Sequence, residues 1–394
     1  MSDFTIDKKD IEAEEKQMAL YLHIPFCKKP QRCIYCDFFS TTQGSEWRRK
    51  YTERLCQEIA ERRDEALSRP LSSIYFGGGT PSQLSFNELQ QIWEAIRKYY
   101  KIQPDAEITI EVNPDDISRE YVQNLRLLGF NRVSMGVQTF NDRLLQVIQR
   151  RHSSNQAKEA IQILHDAGFH NLSIDLIYGL PGQTIENFEK DLDTALQMPI
   201  THLSAYTLMV ENGTKLHQMV ENGELELPSE EVCLNMFEIL CRKTRDNGFL
   251  QYEISNFSRP GFESRHNSSY WQGTPYIGVG AGAHSYDGKI IRRMNKADLK
   301  AYIDAKDHVP HENEELKEKE LYNEFIFTRL RTRKGLSLEQ LYRKFSAQYT
   351  EDFNHTLTKH LREGNICKDN GDFVRLTHQG IMISNDVMSD FMAI

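Results

Sequence analysis

Apolar and polar positions along the chain fall into two alternating kinds of segment. Short, mostly apolar runs cover 19–24, 71–76, 106–112, 132–137, 171–177 and 202–208. Between them lie longer stretches with apolar residues three and four apart, the spacing of an amphipathic helix. The first, 47–68, carries Tyr51, Leu55, Ile59 and Ala66 on one broad face. Ser85, with Glu88 three residues on, forms a capping box at the start of a helix to 99. Helices over 118–128 (stopped by Gly129), around 142–148, 155–167 and 184–196 follow. Strand and helix thus repeat six times, which predicts parallel strands joined by right-handed crossovers. Six is short of eight. The fold class is therefore α/β, a partial TIM-like (βα)6 barrel left open rather than closed, whose functional groups belong at the C-terminal ends of its strands.

Beyond the sixth run the pattern changes. A helix over 230–247 and a strand over 251–254 precede 256–285, which is rich in glycine and aromatics and has little periodicity. Residues 296–305 read as helix and 308–313 as a polar linker. Helices over 315–331, 338–344 and 353–363, then a strand over 373–376, predict a small, mainly helical, winged-helix-like C-terminal domain. The division is a polar segment 1–17, a core barrel 18–254, a barrel-closing segment 255–307 and the terminal domain 308–394. A winged helix invites a DNA-binding role, but Glu314, Glu315, Glu318 and Glu320 open its first helix and no basic recognition face follows. A scaffold or docking role fits better. The net charge of −9 likewise argues against nucleic acid. Residues 1–17 lack the apolar core of a signal peptide, and no later run reaches bilayer length, so a cytoplasmic protein without a transmembrane segment is expected, with peripheral membrane contact left open. Seven cysteines, an odd number, suit a reducing compartment.

Three of those cysteines stand close together. Pro25 ends the first run, and Cys27, Cys33 and Cys36 follow on a loop with Lys28, Lys29 and Arg32. Three thiolates on one loop can wrap an iron–sulfur cluster and leave one iron of a four-iron cube open to a small chelator. The plain alternatives are a zinc knuckle or structural thiols. A zinc site wants four ligands, and Cys56 sits in a helix while His23 lies on the preceding strand. Cys56, Cys233, Cys241 and Cys367 read as small buried hydrophobes. Gly77-Gly78-Gly79-Thr80-Pro81 after the second run suits close approach of backbone to a ligand, or simply a tight turn. A second glycine run, Gly278 to Gly282, precedes polar, non-helical sequence, which argues against a nicotinamide site.

Together, Tyr-x-His-Ile-Pro-Phe-Cys at 21–27, Cys33-x-x-Cys36 and the glycine run resemble the radical S-adenosylmethionine (SAM) superfamily, and more narrowly its oxygen-independent coproporphyrinogen oxidase group. The first two cysteines of that group are three residues apart; here five intervene, which asks for a looser loop. The resemblance implies a [4Fe-4S] cluster on Cys27, Cys33 and Cys36, and SAM held by Tyr21, Tyr35, Gly78, Gly79, Thr80, Glu111, Gln138, Arg150 and Asp175. In it Gly78, Gly79 and Thr80 take the amino group of SAM, Glu111 a ribose or ammonium, Gln138 a ribose hydroxyl and Arg150 the carboxylate. It also implies reductive cleavage of SAM to methionine and a 5′-deoxyadenosyl radical, with a flavodoxin or ferredoxin as electron donor.

Two features choose a branch. The porphyrinogen-oxidising members carry a fourth cysteine two residues after the third, where this chain has Phe38. His266-Asn267-Ser268-Ser269-Tyr270-Trp271 matches the His-Asn-x-x-Tyr-Trp motif of the haem chaperones in the group. Read as residues alone, His266 and Asn267 are loop groups bonding backbone, with Tyr270 and Trp271 filling a core; the resemblance makes His266, Asn267, Tyr270 and Trp271 a haem motif. It implies a chaperone with haem as cargo and respiratory haemoproteins as acceptors, with SAM cleavage left open. The alternative is coproporphyrinogen III dehydrogenase.

Overall fold

Each apolar run folds as a strand, and alternation within it decides what the two faces meet. The structure, a computed structural model, describes residues 17–28, 32–66, 69–369 and 371–393; the expected polar segment 1–17 lies outside them except for Gln17. The strands are β1 (Met18–Ile24), β2 (Leu71–Gly78), β3 (Ile102–Val112), β4 (Arg132–Gln138), β5 (Asn171–Tyr178) and β6 (His202–Thr207), paired in parallel in that order. Leu20, Leu22, Ile74, Phe76, Ile110, Val133, Met135, Leu172, Ile174 and Leu203 are buried in the main core with Leu55, Ile59, Ile92, Val122, Leu125 and Ile161 of the helices. The alternate residues, among them Tyr21, Tyr75, Glu111, Arg132, Ser134, Asp175, His202 and Ser204, line a cavity instead. A TIM barrel normally fills its interior with branched apolar side chains. Here polar side chains keep that space open.

The helices are α1 (Ser45–Glu61), α2 (Phe86–Tyr99), α3 (Arg119–Leu128), α4 (Asp142–Val147), α5 (Ser154–Asp166) and α6 (Ile185–Gln197). The capping box forms at α2, where Glu88 N–H donates to Ser85 Oγ and the Glu88 carboxylate accepts from Ser85 N–H at 2.7 Å. Gly129 ends α3 in the left-handed conformation. α1 stops at Glu61, short of the expected 68, and a 3-10 turn over Arg63–Ala66 carries the chain on. Its apolar face is as read: Tyr51, Leu55 and Ile59 are fully buried.

The segment 255–307 does more than its weak periodicity suggests. After β7 (Leu250–Glu253), β8 (Asn256–Ser258) pairs antiparallel with β6, and β9 (Tyr276–Val279) adds a seventh parallel strand beside β1. β10 (His284–Tyr286), β11 (Ile291–Asn295) and β12 (His311–Glu315) extend that edge as antiparallel strands. The sheet thus has twelve strands, with β12 and β7 at its ends, and it does not close. The glycine run at 278–282 therefore begins inside β9 and carries the chain on towards β10, and the polar stretch at 308–313 runs into β12 rather than remaining a linker. A buried carboxylate anchors this extension. Glu58 accepts from Gly280 N–H (2.8 Å), Tyr302 OH (2.7 Å), Asn295 Nδ2 (2.7 Å) and Arg62 Nη1 (3.3 Å).

The terminal region packs helices Glu318–Leu330, Leu338–Lys344 and Ala347–Glu363 on a three-stranded sheet in which Phe373–Leu376 is central. Tyr322, Phe325, Leu341, Phe353 and Val374 form a core separate from that of the barrel. Among the described residues no helix is long and apolar enough to cross a membrane.

Candidate functional site

One cavity of about 620 Å³ runs along the inner face of the sheet. Tyr21, Cys27, Cys33, Tyr35, Cys36, Gly78, Gly79, Thr80, Glu111, Gln138, Arg150, Asp175, His266, Asn267 and Tyr270 all line it. Of the site residues read from the sequence, only Trp271 does not. Strand polarity explains the convergence. The loops after β1 to β6 all leave at the same end of the sheet, so residues far apart in sequence share one rim.

The cysteine loop is pinned at both ends. Cys27 N–H donates to Thr41 O at 2.7 Å and Thr41 N–H to Pro25 O at 2.6 Å. Further on, Ile34 is buried with Leu144, Ile148 and Leu180, and its carbonyl accepts from Leu216 N–H at 2.9 Å. Three residues of the long Cys27–Cys33 spacing, 29–31, fall outside the described residues. The thiols are free, and two have a donor beside them: Thr80 Oγ1 lies 3.6 Å from Cys27 Sγ and Arg150 Nη1 lies 3.4 Å from Cys33 Sγ. Among the described residues no three His, Cys, Asp or Glu side chains converge as ligands of one metal ion. Three sulfurs along one cavity wall fit a cluster, which takes each thiolate at a separate iron. Burial pushes the Cys36 thiol up. The other four cysteines, read as buried, are half-buried, and three of them, Cys56, Cys233 and Cys241, pack against the main core.

The glycine turn is tight for a reason the sequence could not show. A Cβ on Gly79 would lie 2.9 Å from Pro25 C and 3.0 Å from Phe26 N, both backbone. Gly78 has φ 111°, and its Cβ would meet the His23 ring at 2.7 Å. The glycines thus let the end of β2 close on the end of β1, with Gly79 N–H donating to Ile24 O at 2.9 Å.

Glu111 faces this turn. It accepts from Gly78 N–H at 3.2 Å and from Tyr75 OH at 2.7 Å, and burial pushes its carboxyl up to about 7. Asp175 accepts from Ser134 Oγ at 3.2 Å, and burial raises it too. Arg150 donates to Asn113 Oδ1 at 2.7 Å and to Gly136 O, while its Nε has no hydrogen-bond partner. Gln138 has φ 69° and Gln149 φ 58°, the two described non-glycine residues with positive φ. Strain of this kind persists where surrounding structure imposes it and gathers at functional sites. Both residues line the cavity.

Sequence reading missed Tyr75, Asn113 and Arg132. Tyr75 carries the hydrogen bond to Glu111 and stacks between Tyr21 (6.2 Å) and His266 (4.8 Å between ring centroids). Its signal was its register: it sits opposite Tyr21 on a strand whose odd positions face inward. Arg132 is buried on β4 with Glu107 3.9 Å from its Nε.

The His-Asn-x-x-Tyr-Trp stretch is a short helix, α9 (Arg265–Trp271), counting Lys215–Glu221 and Glu230–Asp246 as α7 and α8. It forms the deep end of the cavity. His266 is 2% exposed, and both ring nitrogens are engaged: Nδ1 with Ser73 Oγ and Nε2 with Tyr270 OH, each at 2.9 Å. Burial pulls its pKa down to about 3, so it is neutral. Asn267 Nδ2 donates to Tyr252 OH at 3.2 Å. Trp271 points the other way, under the Arg331 guanidinium (3.9 Å to its ring), and Arg329 donates to the carbonyls of Trp271 and Gln272. The motif is thus a helix rather than a loop. It divides between the barrel floor and the terminal domain.

The sequence profile of the radical SAM superfamily matches residues 21–195, and that of the HemN C-terminal domain matches 316–383. The haem chaperone HemW of Bacillus subtilis is 37% identical over 94% of this chain and 98% of its own length. The chain belongs to the HemW family. Other HemW relatives come from Lactococcus lactis (35% identical, covering 96% of this chain and 98% of the relative) and Escherichia coli (30%, 95% and 98%). Among solved structures, the coproporphyrinogen III oxidase HemN of Escherichia coli superposes with a TM-score of 0.82 over 98% of this chain and 93% of its own, at 24% identity. That likeness shows the shared fold: an α/β sheet of parallel strands with a helical C-terminal region.

Proposed function

We propose that this chain is a radical SAM haem chaperone that carries a [4Fe-4S] cluster and SAM in the barrel cavity and delivers haem to an acceptor haemoprotein. The observation that carries the reading is the meeting of three free cysteines, the glycine turn, Glu111, Gln138, Arg150 and Asp175 in one cavity. Cys27, Cys33 and Cys36 would hold the cluster. When bound, it supplies an electron to a chelating sulfonium cofactor. Arg150 sits beside Cys33, where its guanidinium can pair with the carboxylate of that cofactor. The Gly78-Gly79-Thr80 turn borders the cavity where an ammonium would sit, and Glu111 and Asp175 offer it carboxylate acceptors. Gln138 offers its amide to a ribose. The polar inner face keeps these groups in register. Respiratory haemoproteins as acceptors, and a flavodoxin or ferredoxin as electron donor, are the partners this reading calls for.

Anaerobic reconstitution with iron and sulfide tests it. The expected product holds about four irons and four sulfides per chain, binds SAM, binds haem, and leaves coproporphyrinogen III unchanged. Bound zinc, or no cluster, would refute the cofactor assignment. Formation of protoporphyrinogen would make the chain a dehydrogenase instead.

A further inference from the structure

We propose that haem docks at the mouth of the cavity, on a rim made by Phe38, Tyr206 and Met209, with the Met209 thioether as an axial ligand of its iron. The inference rests on the reading of haem as cargo. Nine large apolar side chains are exposed among the described residues, and three of them line this one mouth: Phe38 at 61%, Tyr206 at 44% and Met209 at 65%. Scattered exposed apolar residues need no explanation, but a group of them around a cavity marks a binding surface. They come from two separate places, the cysteine loop (Phe38) and the end of β6 with the turn that follows it (Tyr206 and Met209). These lie side by side because both join one small core, with Ile34 of the first buried in it and Leu208 and Val210 of the second packed against it.

Haem matches what this rim offers. Its macrocycle is flat and apolar, its iron takes thioether or imidazole ligands, and its propionates are anionic. Phe38 and Tyr206 supply aromatic faces. Met209 offers a sulfur lone pair, and thioether is an established ligand for haem iron. Arg32 donates Nη2 to Cys36 O (3.1 Å) and Phe38 O (2.6 Å) and meets no carboxylate among the described residues, so the rest of its fork can take a propionate. Asp37 and Glu211 line the same mouth and would turn the propionates away from themselves, towards Arg32. His266 suits the iron less well. Its ring lies at the cavity floor with both nitrogens already hydrogen-bonded.

The test is a haem titration of the full chain followed by absorption, comparing wild type with Met209→Leu, Arg32→Gln and, as an equally exposed but remote control, Leu127→Ser. Wild type should show a shifted Soret band and the weak long-wavelength absorption of a thioether-bound ferric haem. Met209→Leu should abolish that absorption and bind at least ~10-fold more weakly, about 1.4 kcal/mol. Arg32→Gln should weaken haem but not its dimethyl ester, and Leu127→Ser should match wild type. A Met209→Leu spectrum and affinity equal to wild type would overturn the rim site while leaving haem as cargo. No spectral change with wild type would remove the cargo reading itself.

Discussion

Replacing Glu111 by glutamine should make the barrel's stability less dependent on pH, because this carboxyl is held far from its ordinary ionisation range. Burial raises it from 4.5 to about 7 in the folded chain, against the opposing hydrogen bond from Tyr75. Below about pH 4.5 both folded and unfolded chains hold the proton and the group contributes no pH dependence. Between about 4.5 and 7 the unfolded chain loses it while the folded chain keeps it, so stability falls as pH rises. Each pH unit across that window is worth about 1.4 kcal/mol. Wild type should therefore lose about 3 kcal/mol to this residue on going from about pH 4.5 to pH 8. The glutamine carbonyl can still accept from Gly78 N–H, and Tyr75 OH can rotate to accept from the new amide, so the variant should fold. Urea titrations followed by the fluorescence of Trp47 and Trp93, on α1 and α2, measure both proteins at either end of the range. Asp191, pushed up to about 6 by burial, titrates in the same window, but both proteins share it and the comparison cancels it. If the stability difference between wild type and Glu111→Gln is the same at both pH values, the buried carboxyl is not where its charge state is controlled, and the electrostatic account of the site fails.

Glu58→Gln should cost about 3 kcal/mol in the same assay. All four partners of Glu58 donate, so an amide must turn its N–H groups towards a donor whichever way it faces; a cost under about 1 kcal/mol would refute this. Gly79→Ala should destabilise by about 1–3 kcal/mol through overpacking against β1 backbone, and reconstituted protein should hold less iron; wild-type stability and iron content would contradict it. Cys27→Ser should lose the cluster, whereas Phe38→Cys should keep it without gaining porphyrinogen oxidation. Iron and sulfide counts with an anaerobic activity assay check both variants.

The barrel was legible because its strands bury one face against helices, which writes a repeating apolar run into the chain. The cysteines, the glycine turn, Glu111 and Gln138 were legible because each stands where a run ends. The seventh parallel strand was not. Tyr276–Val279 is short, and its glycines look like a loop, because what fixes it is pairing with β1 and the distant Glu58 rather than any local periodicity. Tyr75 and Arg132 were missed for a related reason: inward positions in an apolar strand show their role only once neighbouring strands are in register. Trp271 was misplaced because a motif is read as a unit, whereas a helix sends residues one position apart in different directions.

That parting of Tyr270 and Trp271 gives α9 a thermodynamic property beyond its two sets of contacts. One end of a seven-residue rod touches whatever occupies the barrel, and the other is gripped by Arg331 and Arg329. An occupant of the barrel that favours one setting of the rod and a partner of the terminal domain that also favours one would alter each other's affinity by the same factor. Coupling of that kind would need no shared contact between the two, only the helix that both touch.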